Sequence, residues 1–148
     1  MITHYQYILI PLIAIVLAQV IKFLIETVRF GRLRFTRLLN GSGGMPSTHT
    51  SFITSVITCI GINEGFDTAI FGLALVIGLI VCYDAIGVRW EAGQQANTIN
   101  RLVGILDLHR GFQDEMDEFK KLKEEVGHRP QEVIGGIIVG IFTAIILL

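Results

Sequence analysis

The chain reads GGMPSTHTSFITSVITCIGI at residues 43–62, where a glycine-rich polar start leads directly into an apolar stretch. Glycines allow backbone amides to approach an anion closely, and Pro46 suits the first position of a helix, where its missing N–H costs nothing. The free amides of that first turn attract a phosphate, helped by the helix dipole. The candidate phosphate ligands are Gly44, Ser47 and Thr48. The alternative is a glycine loop with Ser/Thr capping of the helix.

A second polar motif, GHRPQEV at residues 127–133, opens another apolar stretch, and Pro130 again suits a helix start. Glu132 lies one helical turn after His128, so its carboxylate can accept the proton on one ring nitrogen. That contact fixes the tautomer and makes the other nitrogen more nucleophilic. The alternative is that Glu132 only complements the positive end of the helix dipole.

The segments around these motifs are typical of a membrane protein. The chain has 148 residues, 51% of them hydrophobic, and its length suggests one domain. Spans must be helical because lipid cannot satisfy open backbone groups, and a full span needs about 20 residues. Four segments are apolar enough to enter a bilayer, the first long enough to cross and the others short: residues 7–25, 47–62, 68–83 and 131–148. We therefore predict an all-α integral membrane bundle, a single domain over residues 1–148 with about four transmembrane helices.

A polar insertion at residues 84–130 separates the last two apolar segments. Within it, residues 88–108 can form a helix that carries one stripe of Arg89, Gly93, Ala96 and Asn100. Further apolar residues recur at three- and four-residue spacing among charged ones, the pattern of an amphipathic helix: Phe112, Met116, Phe119, Leu122 and Val126. We expect these helices on the cytoplasmic face, packed on the membrane or on the protein; the alternative is a surface for a partner.

Basic residues are distributed unevenly along the chain. Residues 26–46 carry four arginines and residues 84–130 carry seven lysines or arginines, whereas the turn at 63–67 carries none. Four crossings place both basic segments on one side, which the positive-inside rule makes cytoplasmic. We therefore expect an integral protein of the plasma (inner) membrane, with both polar motifs facing the cytoplasm and both termini outside.

Two further pairs of charges are candidates for the same site. Lys22 and Arg29 are two turns apart if the first helix continues, and both could neutralise phosphate oxygens. The alternative is that they snorkel at the membrane boundary. Asp84 ends an apolar segment, where a charge needs a partner. Arg89 is either that partner or a phosphate ligand.

Together these residues resemble the type 2 phosphatidic acid phosphatase superfamily, which includes the vanadium haloperoxidases, and above all its small divergent membrane branch. The family pattern Pro-Ser-Gly-His is similar to residues 46–49, and His-x3-Asp is similar to His128 and Glu132. The pattern Lys-x6-Arg-Pro is similar to Lys22 and Arg29.

The chain departs from that pattern in three places. Phe30 replaces the proline of the first part, and about four spans replace the usual six. Leu122 stands where the family has an arginine six residues before the histidine, and Arg89 is a candidate to supply that guanidinium from elsewhere in the chain.

The resemblance implies a metal-independent, acid-phosphatase-type lipid phosphohydrolase that needs no cofactor. By this resemblance, His128 attacks phosphorus and forms a phosphohistidine, Glu132 orients His128, and His49 protonates the leaving lipid oxygen. The residues expected to bind the phosphate are Lys22, Arg29, Gly44, Ser47, Thr48 and Arg89. The expected substrate is a lipid monophosphate or diphosphate of the phosphatidic acid, phosphatidylglycerol phosphate or polyprenyl phosphate class.

Two other functions would use the same cationic pocket: a non-catalytic lipid-phosphate carrier or flippase, and a scaffold with a decayed site. Only the enzyme needs two histidines, one to transfer a proton and one to accept the phosphoryl group.

The expected partners are the phosphorylated lipid, the membrane and a second copy of the chain, since a small bundle needs a second copy to enclose its pocket. Gly136 and Gly140 indicate close helix packing, within one chain or between two. The net charge of −1 gives no reason to expect nucleic-acid binding.

Overall fold

A computed structural model describes residues 5–31, 44–110, 121–124 and 127–148, with the backbone alone at residue 30 and residues 106–110. These residues form five helices: α1 (Gln6–Phe30), α2 (Thr48–Glu64), α3 (Ala69–Ile86), α4 (Val88–Arg110) and α5 (Pro130–Leu147). The described ranges contain no strand, and the prediction of an all-α fold is confirmed.

Helix α2 lies at the centre of the bundle and contacts α1, α3 and α5. One face of α2 carries only small, fully buried side chains at four-residue spacing: Ser47 (the N-cap), Ser51, Ser55 and Cys59. Helix α5 presents a matching buried stripe: Gly136, Gly140 and Ala144. A Cβ on Gly136 would lie 2.6 Å from the Ser47 carbonyl oxygen, and one on Gly140 would lie 2.5 Å from that of Ser51. The two backbones therefore touch, the two helices run in the same direction, and the glycine pair is used within the chain.

Helix α1 runs antiparallel to α2. The Tyr7 hydroxyl donates a hydrogen bond to the Glu64 carboxylate at one end, and Lys22 lies against Gly44 near the other. The buried stripe of α1 also has four-residue spacing: Ile10, Ala14, Ala18 and Lys22. Equal numbers of residues separate Tyr7 from Lys22 and His49 from Glu64, so the antiparallel packing places Lys22 at the level of His49.

Three stretches of the described residues are long and apolar enough to cross a membrane: Gln6–Arg29, Ala69–Ile105 and Pro130–Leu147. Helix α2 has 17 residues, which makes it about 26 Å long, slightly short of the roughly 30 Å hydrocarbon core. Large apolar side chains are exposed on the outer faces of α1, α3 and α5, including Leu9, Val16, Leu73, Leu79, Ile80 and Ile145. These features confirm an integral membrane bundle, with three to four helices that can cross.

The position predicted for Pro46 is wrong. Ser47 is the N-cap of α2, with extended backbone angles, and the helix begins at Thr48, so Pro46 precedes the cap instead of opening the helix. Pro46 is instead fully buried where the loop packs against Gly135 of α5. The prediction for Pro130 is confirmed, because it occupies the first turn of α5 after the N-cap residue Arg129.

The predicted amphipathic helix is wrong at Leu122, which lies in a non-helical stretch, residues 121–124. The physical reason is a tertiary contact: the side chain of Asn100 binds both the N–H and the C=O of Leu122, the groups that a helix would use internally. The other residues of that pattern, Phe112, Met116, Phe119 and Val126, lie outside the described residues.

Candidate active site

The two polar motifs meet at one end of the bundle. The backbone N–H of Ser47 donates to the carbonyl oxygen of Glu132 at 2.9 Å. A Cβ on Gly135 would lie 3.0 Å from Met45 Cε, so the loop before α2 also packs on the first turns of α5. Because α2 and α5 run in the same direction, their N-termini lie side by side, and the positive ends of both helix dipoles lie at this end of the bundle. The structure thus brings together two motifs that are far apart in the sequence.

His128 is buried, with 7% of its surface exposed, and its Nδ1 lies 2.8 Å from Oε2 of Glu132. A carboxylate only accepts hydrogen bonds, so Nδ1 carries a proton in this contact, and in the neutral form of the ring the lone pair is on Nε2. The same Oε2 accepts the backbone N–H of Arg129 at 3.3 Å. Glu132 therefore performs both roles that the sequence left open: it orients the histidine and it caps α5.

The junction of α3 and α4 holds His128 from the other side. The backbone N–H of His128 donates to the carbonyl oxygen of Ala85 at 3.0 Å. Gly127 approaches α4 so closely that a Cβ on it would lie 2.4 Å from both the N and the Cα of Trp90. Only glycine permits this approach. The imidazole is consequently fixed between the end of α3 and the start of α5.

Asn100 on α4 holds residues 121–124, which we call the clamped segment. Its Nδ2 donates to the Leu122 carbonyl oxygen at 2.9 Å and to Glu124 Oε1 at 2.8 Å, and its Oδ1 accepts the Leu122 N–H at 3.0 Å. Trp90, which contacts Gly127, lies ten residues earlier on the same helix. Leu122 thus lies at Asn100, and Gly127 lies at Trp90, nearer the N-terminus of α4. Helix α4 therefore contacts the segment before His128 at two points.

Lys22 is only 3% exposed although it carries an ammonium group. Gly44 packs against it: a Cβ on Gly44 would lie 3.4 Å from Lys22 Cδ and 3.0 Å from Glu26 Oε1. Gly44 also has a φ of 89°, a left-handed conformation that favours glycine. The loop backbone is thereby brought against α1. The carboxylate of Glu26 was not among the predicted site residues; its spacing of one turn from Lys22 was the available signal.

His49 lies in the first turn of α2 and is exposed. Its imidazole is within electrostatic range of four groups: Arg89, His128, Lys22 and Asp84. These groups come from α4, the segment before α5, α1 and α3, so charges from four separate parts of the fold influence this imidazole. The two histidines of the predicted catalytic pair therefore lie in the same region.

Ser47 and Thr48 occupy the start of α2. Ser47 is fully buried, and its Oγ accepts the backbone N–H of Thr50 at 3.4 Å and the hydroxyl of Thr50 at 3.0 Å. The capping alternative is therefore observed for the Ser47 hydroxyl, whereas Thr48 is half-buried at the first helical position. The groups of this turn best suited to an anion are its backbone amides.

The two predicted arginines differ in their surroundings. Arg89 Nε lies 2.5 Å from Asp84 Oδ2, so the structural ion pair that the sequence left as one option is present. About half of the Arg89 side chain remains exposed, and its charge still acts on His49. Arg29 is exposed in the last turn of α1, about 10 Å along the helix from Lys22. Its role as a phosphate ligand stays a prediction.

The fold and the site define an all-helical integral membrane protein in which two histidine motifs converge at one end of the bundle. A family model described as "Divergent PAP2 family" matches residues 3–143, and the chain belongs to that family. The chain is also 38% identical over 145 residues to the uncharacterized membrane protein YuiD of Bacillus subtilis (strain 168), an alignment that covers 92% of this chain and 89% of YuiD. No solved structure matches the chain. The predicted resemblance to the divergent phosphatidic acid phosphatase branch is confirmed.

Proposed function

We propose that this protein is a membrane lipid phosphatase that acts through a phosphohistidine at His128. The observation that carries the proposal is the buried His128–Glu132 pair, hydrogen-bonded at 2.8 Å and joined to the Ser47–His49 motif by the bond from Ser47 N–H to the Glu132 carbonyl. A histidine whose Nδ1–H is held by a carboxylate has its Nε2 lone pair available for attack. Membership of a family related to phosphatidic acid phosphatases supports the same chemistry.

The first step forms a bond between His128 Nε2 and phosphorus and breaks the bond between phosphorus and the lipid oxygen. His49 donates a proton to that oxygen as it leaves. The charge on the equatorial phosphate oxygens is balanced by Lys22, Arg89 and the free amides at the start of α2, with Arg29 as a further candidate. Glu132 stabilises the positive charge that His128 acquires.

In the second step a water molecule attacks the phosphohistidine and gives a proton to His49. The bond between phosphorus and nitrogen breaks, inorganic phosphate leaves, and both histidines return to their starting states. The products are a lipid alcohol and phosphate from a monoester, or a lipid monophosphate and phosphate from a diphosphate. We place this reaction at the cytoplasmic face of the plasma (inner) membrane.

The experiment that tests the proposal measures phosphate released by purified protein from phosphatidic acid, phosphatidylglycerol phosphate and polyprenyl mono- and diphosphates. We expect at least one to be hydrolysed, and His128→Ala to reduce release to background while the thermal unfolding temperature stays within a few degrees. His109→Ala is the matched control. Residue 109 lies about 32 Å along α4 from Val88, and Val88 is at the end of α4 that contacts the site.

Unchanged release by purified His128→Ala protein would remove the nucleophile assignment. If wild-type protein binds one of these lipids but releases phosphate from none, the carrier or flippase becomes the better description. If it neither binds nor hydrolyses them, the scaffold with a decayed site is favoured.

A further inference from the structure

An apolar groove runs between α1 and α5 and encloses about 310 Å³. From α1 it is lined by Ile13, Leu17 and Ile21, and from α5 by Ile138, Phe142 and Ile146 among others. The lining includes one polar residue, Thr143, whose hydroxyl donates to the Val139 carbonyl oxygen at 2.7 Å and is thereby satisfied within its own helix. The described residues of the lining therefore offer hydrocarbon contacts to whatever fills the groove.

The groove is long enough to hold most of the part of a lipid chain that lies within one leaflet. Ile13 and Ile21 are eight residues apart on one helix, which corresponds to about 12 Å. Half of a hydrocarbon core of roughly 30 Å is one leaflet. A chain lying in the groove would therefore extend through most of one leaflet.

One end of the groove adjoins the candidate active site through a short chain of contacts. Ile138 is one turn after Gly135, and Gly135 packs against Met45 Cε. Met45 is 45% exposed, and the preceding residue, Gly44, packs on Lys22. A single loop residue thus separates the apolar groove from the buried cation. The Glu26 carboxylate also lies at this end, so an anion here would rely on Lys22 together with the backbone amides at the start of α2. An apolar groove that ends beside these groups suits an amphiphile with an anionic head.

We propose that the groove between α1 and α5 binds one hydrocarbon chain of the phosphorylated lipid while its phosphate lies at His128. This inference rests on the proposed function and adds a substrate requirement: a linear apolar chain long enough to fill the groove. Met45 would lie beside the first carbons of that chain, where the head group passes into the groove.

The first experiment compares kcat/KM for phosphatidic acid with hexadecanoyl chains and with hexanoyl chains. Leu17→Trp fills the groove, and Ile138→Phe fills it from the opposite helix. We expect each to lower the ratio of long-chain to short-chain kcat/KM by about tenfold or more. Leu79→Trp is the matched control, since Leu79 is a leucine exposed on α3 that does not line the groove, and its ratio should equal that of wild type.

A second experiment does not depend on hydrolysis. His128→Ala protein in phosphatidylcholine nanodiscs is illuminated with phosphatidic acid that carries a photoreactive diazirine near the end of one chain. Mass spectrometry should find crosslinks on the groove residues of α1 and α5, and these should be displaced by excess phosphatidic acid but not by added phosphatidylcholine.

The two experiments separate failure of the groove from failure of the enzyme. Wild-type hydrolysis with an unchanged chain-length ratio in both filled variants, and crosslinks spread equally over α3, would overturn the groove and leave the phosphatase intact. Absence of hydrolysis together with specific crosslinks in the groove would support the groove while removing the phosphatase. Crosslinks displaced equally well by phosphatidylcholine would mean that the groove holds bulk lipid.

Discussion

One oxygen of Glu132 serves two partners at the start of α5. It accepts the Nδ1–H of His128 at 2.8 Å and the backbone N–H of Arg129 at 3.3 Å. The first contact is relevant to nucleophilic chemistry and the second to helix stability, and substitutions can separate them.

Glu132→Gln keeps an acceptor oxygen but removes the negative charge, whereas Glu132→Ala removes both. We expect Glu132→Gln to keep a near-normal thermal unfolding temperature while phosphate release falls roughly 10–100-fold, the range for carboxylates that orient a working histidine. Glu132→Ala should also lose about 1 kcal/mol of stability through the lost cap. Full activity in Glu132→Gln protein would mean that the residue acts only as a cap. Unfolding temperature and phosphate release, measured on both variants, decide between these outcomes.

At the scale of elements, close helix contacts depend on small residues that face one another. Gly140 lies where a Cβ would be 2.5 Å from the Ser51 carbonyl oxygen and 3.0 Å from Ser55 N, both backbone atoms of α2. Gly72, on α3, has no such neighbour within 4 Å in the part of the chain that the structure describes. Both glycines are helical, so they form a matched pair for the same substitution.

Gly140→Ala should destabilise the bundle by about 1–3 kcal/mol, because the added methyl must push α5 away from α2. Gly72→Ala should be neutral or stabilise by up to roughly 1 kcal/mol, since alanine is the better helix former. Thermal unfolding of the two variants in one detergent measures the difference. Equal unfolding temperatures would contradict the close backbone contact of α2 with α5.

The contact between α4 and the clamped segment is a second feature at this scale. Asn100 makes three hydrogen bonds to Leu122 and Glu124, and the clamped segment contains two exposed lysines, Lys121 and Lys123. Asn100→Ala should release the segment, so limited trypsin digestion after these lysines should speed up several-fold and phosphate release should fall. Asn97→Ala, an exposed position one turn earlier, is the control. Unaltered digestion in Asn100→Ala protein would show that other contacts hold the segment.

At the scale of the whole molecule, the helix directions agree with four crossings. Helix α1 is antiparallel to α2, α3 follows α2 through a short turn, and α5 is parallel to α2. These relative directions place both histidine motifs on one side. Which side faces the cytoplasm is predicted by the basic residues alone.

Labelling with a membrane-impermeant thiol reagent tests this orientation. Asp67→Cys, in the turn between α2 and α3, should react in intact cells, whereas Lys121→Cys should react only after permeabilisation. The chain has two native cysteines: Cys59 is buried and Cys82 is half-buried. Both are replaced in the background used for labelling, so that the reagent can react only with the introduced cysteine. The reverse pattern would place the site outside without changing the packing of the helices.

The predicted homodimer concerns the same scale. Gly136 and Gly140 were candidates for contacts within or between chains, and they are used within the chain against α2. A second copy must therefore bind elsewhere on the surface, and the homodimer stays a prediction.

Local features of this protein could be read from its residues. The start of α5 follows from Pro130, apolar spans follow from composition, and the His128–Glu132 contact follows from a four-residue spacing across that helix start. Each depends on residues within about one turn, so neighbouring positions suffice to predict it. The family resemblance likewise needed only the two histidine motifs and the pair Lys22 and Arg29.

Contacts between distant segments required the packed bundle. The bond from Ser47 to Glu132, the approach of Gly44 to Lys22, and the clamp by Asn100 join residues from different elements. Small residues such as Ser51 and Gly140 permit a close approach without specifying which helix will approach. Because the choice of neighbour is set by the combined fit of all the helices, the placement of His49 and His128 at the same end of the bundle follows only from the assembled structure.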